Sequence, residues 1–535
     1  MTSPKKKTKK NKAGERQIAR AAGTIMLAFV LSNLVGLVRQ ILITRSFGAS
    51  AELDAFYIAG RLPDILFSLV AGGALASAFV PTFTGLLGKK NKSDAWHLAS
   101  SIWNLVIVVI AIFSVLAWVL APELVKLMAP DYAGAQLDLT IELLRIQLLM
   151  PIVFSLSGLL MGILNAHQSF LMPAIAPSMY WLGMIFGVLV FVPSMGIHGL
   201  AWGAVLGAGL HLLIQVPALI RVRPSFSFTF GLESANVREV GKLMAPRLLG
   251  VAAVQINFLV NNIIASTLTE GSVSAITVAF QVMTMPQVVI AQAIAIAALP
   301  TFSAQVAKGK LGELRNSLVA TLRGVLLLAL PASVGLILLR RPIIGLLFER
   351  GEFGVEDTEL VAWALLWFGV GLVGHSVVEI VSRAFYALHD TRTPVIASVG
   401  AMTLNVILSL TLPGLFLRRG WLPHGGLALA NSLATTIEMM VLLWIMRKRL
   451  DGLEGAELGR GLALAGGGSL LMGIGLVWWI SSFGWVDHLF AGLGGIAFGG
   501  AIFSLFCWVA QVPEFIALMG AIRTRLSSMS EGTKK

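Results

Sequence analysis

Stretches of about 20 apolar residues, each long enough to cross a bilayer as a helix, follow one another along most of this chain. In hydrocarbon, backbone N–H and C=O groups must be satisfied within the protein, so a long apolar run spans as a helix. Reading the runs gives about 14 spans, from 21–44 and 55–87 through to 461–481 and 487–510. The fold class expected is an all-α polytopic membrane protein. Composition agrees: 56% of the 535 residues are hydrophobic and 13% charged, and the mean hydropathy is +0.84, outside the range of soluble domains. Gly72-Gly73 in the second run and Pro286 in the eighth predict bent or broken helices.

The chain also repeats itself at a spacing of roughly 220 residues. Ala78-Phe79-Val80-Pro81-Thr82-Phe83 returns as Ala297-Ala298-Leu299-Pro300-Thr301-Phe302, Pro173-Ala174-Ile175-Ala176 as Pro394-Val395-Ile396-Ala397, and Gly199-Leu200-Ala201 as Gly426-Leu427-Ala428. Six spans bring the second half in from the same side as the first, so two six-helix lobes related by a parallel pseudo-two-fold repeat are expected, plus two extra C-terminal helices. The divisions expected are a basic tail (1–20), an N-lobe (21–220), a linker (221–242), a C-lobe (243–446), helices thirteen and fourteen (447–510) and a C-terminal tail (511–535). Duplicated blocks of membrane helices point to a transporter with its site where the blocks meet.

The formal net charge of +13 does not indicate a nucleic-acid partner. Lys5-Lys6-Lys7, Lys9, Lys10 and Lys12 form a solvated tail beside the first span. Roughly 29 of the Lys and Arg residues fall on the side of the termini, about 7 on the other and about 4 within spans, which makes the termini cytoplasmic. The first run is too long for a signal-peptide core and lacks a cleavage site, so it reads as a transmembrane helix. Cys507 is the only cysteine and reads as a small buried hydrophobe. Phe226, Phe228 and Phe230 alternate with polar residues in the linker, as in an interfacial segment.

Ionisable groups inside spans are rare and seldom face lipid. In the first half they are Arg39, Arg61, Asp64, Glu142 and Arg145, with Asp54 at the entrance of the second helix. They fit either a cationic patch that grips an anionic head group or helix-end residues that snorkel or pair with one another. In the second half His375, Glu379 and Arg383 stand four apart and form one stripe, which suits either a proton relay coupled to transport or an inter-helix hydrogen-bond network. Arg247 and Gln281 are further polar candidates, and Asn405 with Ser409 offers oxygens one turn apart to a cation. No phosphate loop, magnesium-binding Asp pair or metal-spaced histidine set occurs, so neither an enzyme, a cofactor nor a bound metal is expected.

The stretch Gly36-Leu37-Val38-Arg39, Phe47-Gly48-Ala49, Asp54-Ala55-Phe56, Arg61-Leu62-Pro63-Asp64 and Ala78-Phe79-Val80-Pro81 resembles the opening of the MurJ (MviN) lipid II flippases. That family belongs to the multidrug/oligosaccharidyl-lipid/polysaccharide exporter superfamily. Arg383-Ala384-Phe385-Tyr386-Ala387, Asp390-Thr391-Arg392-Thr393-Pro394 and Phe348-Glu349-Arg350-Gly351-Glu352-Phe353 are similar to its later motifs, and the likeness runs from about 20 to about 450. The resemblance implies a flippase carrying undecaprenyl-diphosphate-linked peptidoglycan precursor from the inner to the outer leaflet of the bacterial plasma membrane by alternating access. It places the family's helix-one arginine on Arg39, its acidic residue on Asp54 and its next basic residue on Arg61. Three arginines of the implied substrate site are replaced, by Asn33, Phe67 and Gln281. The alternatives are an O-antigen-type or other lipid-linked oligosaccharide or small-molecule exporter of the superfamily, or a non-transporting scaffold for cell-wall synthesis proteins.

Overall fold

The computed structural model describes residues 28, 31–70, 74–89, 91–484, 486–517 and 519–520, with the side chains of residues 70, 74–77, 245–247, 249–250 and 253 outside that description. The expected basic tail and the Gly72-Gly73 bend therefore lie outside the described residues. Within them the chain is mostly helical, without a strand. It divides into two compact units, Met1–Glu270 and Gly271–Lys535.

Unit 1 contains α1 (31–47), α2 (Ala51–Val70), α3 (Ala74–Gly88), α4 (Lys92–Val119), α5 (Ala121–Met128), α6 (Gly134–Gln147), α7 (Leu149–Ala166), α8 (Leu171–Phe186), α9 (Val192–Met195), α10 (Ile197–Leu213), α11 (Val216–Arg221) and α12 (Ala235–Ser266). Unit 2 contains α13 (Ser272–Gln287), α14 (Ala293–Ala307), α15 (Leu311–Leu338), α16 (Arg340–Phe348), α17 (Val355–Ala387), α18 (Arg392–Arg418), α19 (His424–Arg449), α20 (Gly455–Phe483) and α21 (Gly495–Val509). A π-helical segment, Val288–Gln292, joins α13 to α14 directly after Pro286, which realises the interruption expected there.

Eleven helical stretches among the described residues are long and apolar enough to cross a membrane. The remaining expected spans fall on α1, on α2 with α3, and on α12. α2 carries four charged residues, Glu52, Asp54, Arg61 and Asp64, and α1 and α12 lie partly outside the described residues.

The internal repeat is visible in how helices end. Lys89 N donates to Gly85 O (3.2 Å) and Asn91 N to Leu86 O (3.2 Å); about 220 residues on, Lys308 N donates to Ala304 O (3.3 Å) and Lys310 N to Gln305 O (3.0 Å). Gln168 and His389 both take a left-handed φ of 58°, closing α7 and α17 in the same manner before Pro173 and Pro394 start the next helices.

The core of unit 1 gathers Ile43, Leu53, Leu143, Leu200 and Ala204, all fully buried. There α8 and α10 approach so closely that a Cβ on Gly183 would lie 2.2 Å from Gly207 Cα, a spacing only glycine permits. Unit 2 centres on Val325, Val377, Ile380, Val381 and Ala384. Here α20 is tied to α15 by Arg323, which reaches Glu457 at 2.9 Å and Glu514 at 2.5 Å.

The expected linker is shorter than the sequence suggested. α12 begins at Ala235, and the extended segment before it is held on α4 by Asn104 Nδ2, which donates to Thr229 O at 2.9 Å and Ser227 O at 3.1 Å. Phe226 packs between Trp96 and Trp103, whereas Phe228 is 85% exposed. The seventh helix, expected to open the second lobe, packs within unit 1, against α2 and α3.

Candidate substrate-binding site

Two arginines of unit 1 are the leading candidates for the site. Arg39 on α1 lies over the indole of Trp181 on α8, its Cζ 4.4 Å from the ring centroid, where the ring quadrupole attracts a cation. Its Nη2 donates to Gln40 Oε1 at 2.8 Å, and Nη1 approaches Met184 Sδ at 3.8 Å. Gln40 is in turn fixed by donating to the Tyr57 hydroxyl of α2 at 2.9 Å.

Arg61, on α2, has its Cζ 4.8 Å from the ring of Phe258 on α12. It pairs with Asp64 only at 4.0 Å, too long for a hydrogen bond. Its Nε is buried with no hydrogen-bond partner among the described residues. The Asp64 side chain is 61% accessible, against 18% for Arg61, and its carboxylate interacts electrostatically with both Arg61 and Arg39. A guanidinium offers five donors in a fixed fork. A largely desolvated guanidinium whose ion pair is this long has donors that an oxyanion could take.

Asp54 is 3% exposed in the first turn of α2, within electrostatic reach of Tyr57 and Tyr132. The end of that helix is capped by Ser50 Oγ, accepting from Leu53 N at 3.3 Å, and by Glu270 Oε1, accepting from Ala51 N at 2.9 Å. Negative groups are stabilised at a helix N-terminus, so Asp54 has a helix-end role available to it. Asn33 lies exposed on α1.

In unit 2 the stripe on α17 divides. His375 Nε2 meets Asn431 Oδ1 at 3.0 Å and Thr435 Oγ1 at 3.4 Å on α19, while Glu379 accepts from Arg383 at 2.6 Å. The two halves of the suggested relay thus engage different partners. Gln281 is half-buried on α13, where its carbonyl accepts from Thr284 at 2.8 Å. Asn405 and Ser409 are both buried on α18. Glu142 and Arg145 do not pair with each other: Glu142 bonds His198 at 2.9 Å, and Arg145 covers Trp118 at 4.8 Å.

Comparison with known proteins gives this geometry its context. The family model for lipid II flippase MurJ matches residues 43–493. The chain belongs to the MurJ family. It is 30% identical over 438 residues to lipid II flippase MurJ of Burkholderia cenocepacia, covering 80% of this chain and 84% of that one. It is also 30% identical over 471 residues to a probable lipid II flippase MurJ of Bdellovibrio bacteriovorus, covering 86% and 88%. Among solved structures, lipid II flippase MurJ in an inward closed conformation superposes with a TM-score of 0.79 at 25% identity, over 91% of this chain and 98% of that one. An inward-facing MATE-family multidrug transporter shares the fold, with a TM-score of 0.67 at 18% identity over 79% and 95%. MurJ proteins are transporters, and this chain is a multi-pass membrane protein of that kind rather than an enzyme.

Asp64 is within electrostatic reach of both Arg61 and Arg39, and Phe67, at one of the replaced positions, packs among aromatic rings. Phe67 packs tilted against Phe154 at 4.8 Å, Phe154 edge-to-face on Tyr180 at 5.0 Å and Tyr180 tilted against Trp181 at 4.7 Å, so an aromatic wall supports the ring beneath Arg39. The side chain of Arg247 lies outside the described residues. Sequence reasoning missed Tyr57, Tyr180, Trp181 and Phe258. Each sat in a run read only for its hydropathy, although Tyr and Trp carry a polar edge as well as an apolar face.

Proposed function

We propose that this chain flips lipid II, the undecaprenyl-diphosphate-linked peptidoglycan precursor, from the inner to the outer leaflet of a bacterial plasma membrane, with both termini cytoplasmic. In this reading Arg39 and Arg61 hold the diphosphate while the prenyl tail remains in the bilayer. Alternating access exposes the bound head group to one face of the membrane and then the other. The observation that carries it is Arg61, a mostly buried guanidinium whose ion pair with Asp64 is 4.0 Å long, against 2.6 Å for Arg383 and Glu379. Family membership supports the cargo, since the matching relatives are named for it.

The test is reconstitution. The purified full chain in proteoliposomes should translocate labelled lipid II faster than protein-free vesicles. No translocation, with the protein shown to be inserted and folded, contradicts the proposal. A second reading, another undecaprenyl-diphosphate glycan as cargo, is favoured by one observation: Phe67 fills an arginine position with an apolar wall. It expects an O-antigen-type lipid to outcompete lipid II in the same vesicles. His375, Glu379 and Arg383 are proposed only as a coupling region, and Asn405 with Ser409 as a place where a cation could act.

A further inference from the structure

We propose that Asp64 is a built-in counter-ion, which occupies the arginine site while it is empty and which an incoming diphosphate must displace. This rests on the reading of Arg39 and Arg61 as the diphosphate site. A guanidinium in a membrane protein is costly to desolvate without a counter-charge. Asp64 answers that need: its carboxylate interacts with both Arg61 and Arg39, and it sits one turn beyond Arg61 on the same face of α2.

It does so without closing the site. At 4.0 Å the pair with Arg61 is at the outer limit of an ion pair, and 61% of the Asp64 side chain is accessible. Contrast Glu379 and Arg383, at 2.6 Å and roughly equal exposure. A loosely held pair whose carboxylate is exposed has little attraction to overcome. An entering diphosphate presents several oxyanions, which can take bidentate geometry on Arg61 where Asp64 does not.

The exchange of one anion for another has a functional consequence. A site whose arginines lacked an internal counter-ion would hold a diphosphate more tightly and release it more slowly. Asp64 lowers the affinity for the bound lipid and competes for Arg61 as the lipid leaves. In this chain, three arginines implied by the family resemblance are Asn33, Phe67 and Gln281, so Asp64 sets the strength of a smaller cationic cluster.

The experiment is a double-mutant cycle on the full chain in nanodiscs. It measures binding of farnesyl diphosphate by calorimetry, with farnesol as the uncharged control, for wild type, Asp64→Asn, Arg61→Gln and the double variant. Asp64→Asn should tighten farnesyl diphosphate binding by about tenfold, the scale of one charge-assisted hydrogen bond. That tightening should fall below about twofold in the Arg61→Gln background, because the two residues act on each other. Asp64→Glu, which keeps the charge, should stay near wild type and guards against misfolding as the cause. Diphosphate binding by wild type that is unchanged or weakened in Asp64→Asn overturns the counter-ion and leaves the flippase reading standing. Tightening that persists without Arg61 likewise overturns it. No diphosphate-dependent binding by wild type or Asp64→Asn overturns the proposal together with the site it rests on.

Discussion

Unit 1 and unit 2 share a helical plan and end their helices alike, yet the charged pairs on α2 and α17 differ in how tightly they close. In unit 2, Glu379 meets Arg383 at 2.6 Å and His375 is held by Asn431 at 3.0 Å; these contacts are short, although Arg383 Nε, like Arg61 Nε, has no hydrogen-bond partner among the described residues. In unit 1, Arg61 faces Asp64 at 4.0 Å and leaves Nε without a hydrogen-bond partner among the described residues. The lesson is that a duplicated fold does not duplicate a site. Closed pairs hold helices together, and open ones leave room for a ligand.

That contrast breaks first under substitution of the arginines. Arg39→Ala should lower lipid II translocation by about 10- to 100-fold, as expected for removing one or two charge-assisted hydrogen bonds, measured in vesicles at matched protein incorporation. Near-normal translocation would remove Arg39 from the site. A smaller effect belongs to its support: Trp181→Leu keeps an apolar side chain but loses the ring beneath the guanidinium, and should reduce the rate by about three- to tenfold. An unchanged rate would mean that the indole only fills space.

The unit 2 side of the comparison predicts smaller effects on transport. Glu379→Gln should change translocation by no more than about twofold, because an intrahelical pair contributes only a fraction of a kcal/mol. A strong slowing would instead show that the α17 stripe couples protons. The smallest effect concerns the loop after α17, outside the spans. Asp390 there accepts from Thr393 N at 3.0 Å and Thr393 Oγ1 at 2.7 Å, and pairs with Arg449.

The Thr393 backbone N–H, then its hydroxyl, and then Arg449 hold the Asp390 carboxyl down from 3.8 to about 2. A depressed carboxylate pKa stabilises the fold above the unfolded value and loses that contribution as pH falls through the folded one. Asp390→Asn should therefore lower Tm by a few degrees at pH 7, with the gap to wild type shrinking below about pH 4. A gap independent of pH would assign the loss to geometry rather than charge.

Much of the fold was legible in residue order. Apolar length marked the helices, Pro286 marked a break, and the repeated Pro-Ala and Gly-Leu-Ala segments marked equivalent helix ends. The polar partners were less so, because they come from elsewhere in the chain. Glu142 finds His198 rather than Arg145, and α12 joins unit 1, where Arg61 lies against Phe258. Both arginines of the site could be picked out as ionisable groups in apolar runs. The tryptophan beneath one and the loose tether on the other are set by side-chain placement across helices, which periodicity does not encode.

The most direct test of the account is an experimental structure of the full chain with lipid II bound. The account expects the diphosphate within about 3 Å of the Arg61 guanidinium, with Arg39 on the same anion and Asp64 turned away. A diphosphate held instead beside His375 and Glu379, with Arg61 still facing Asp64, would contradict it.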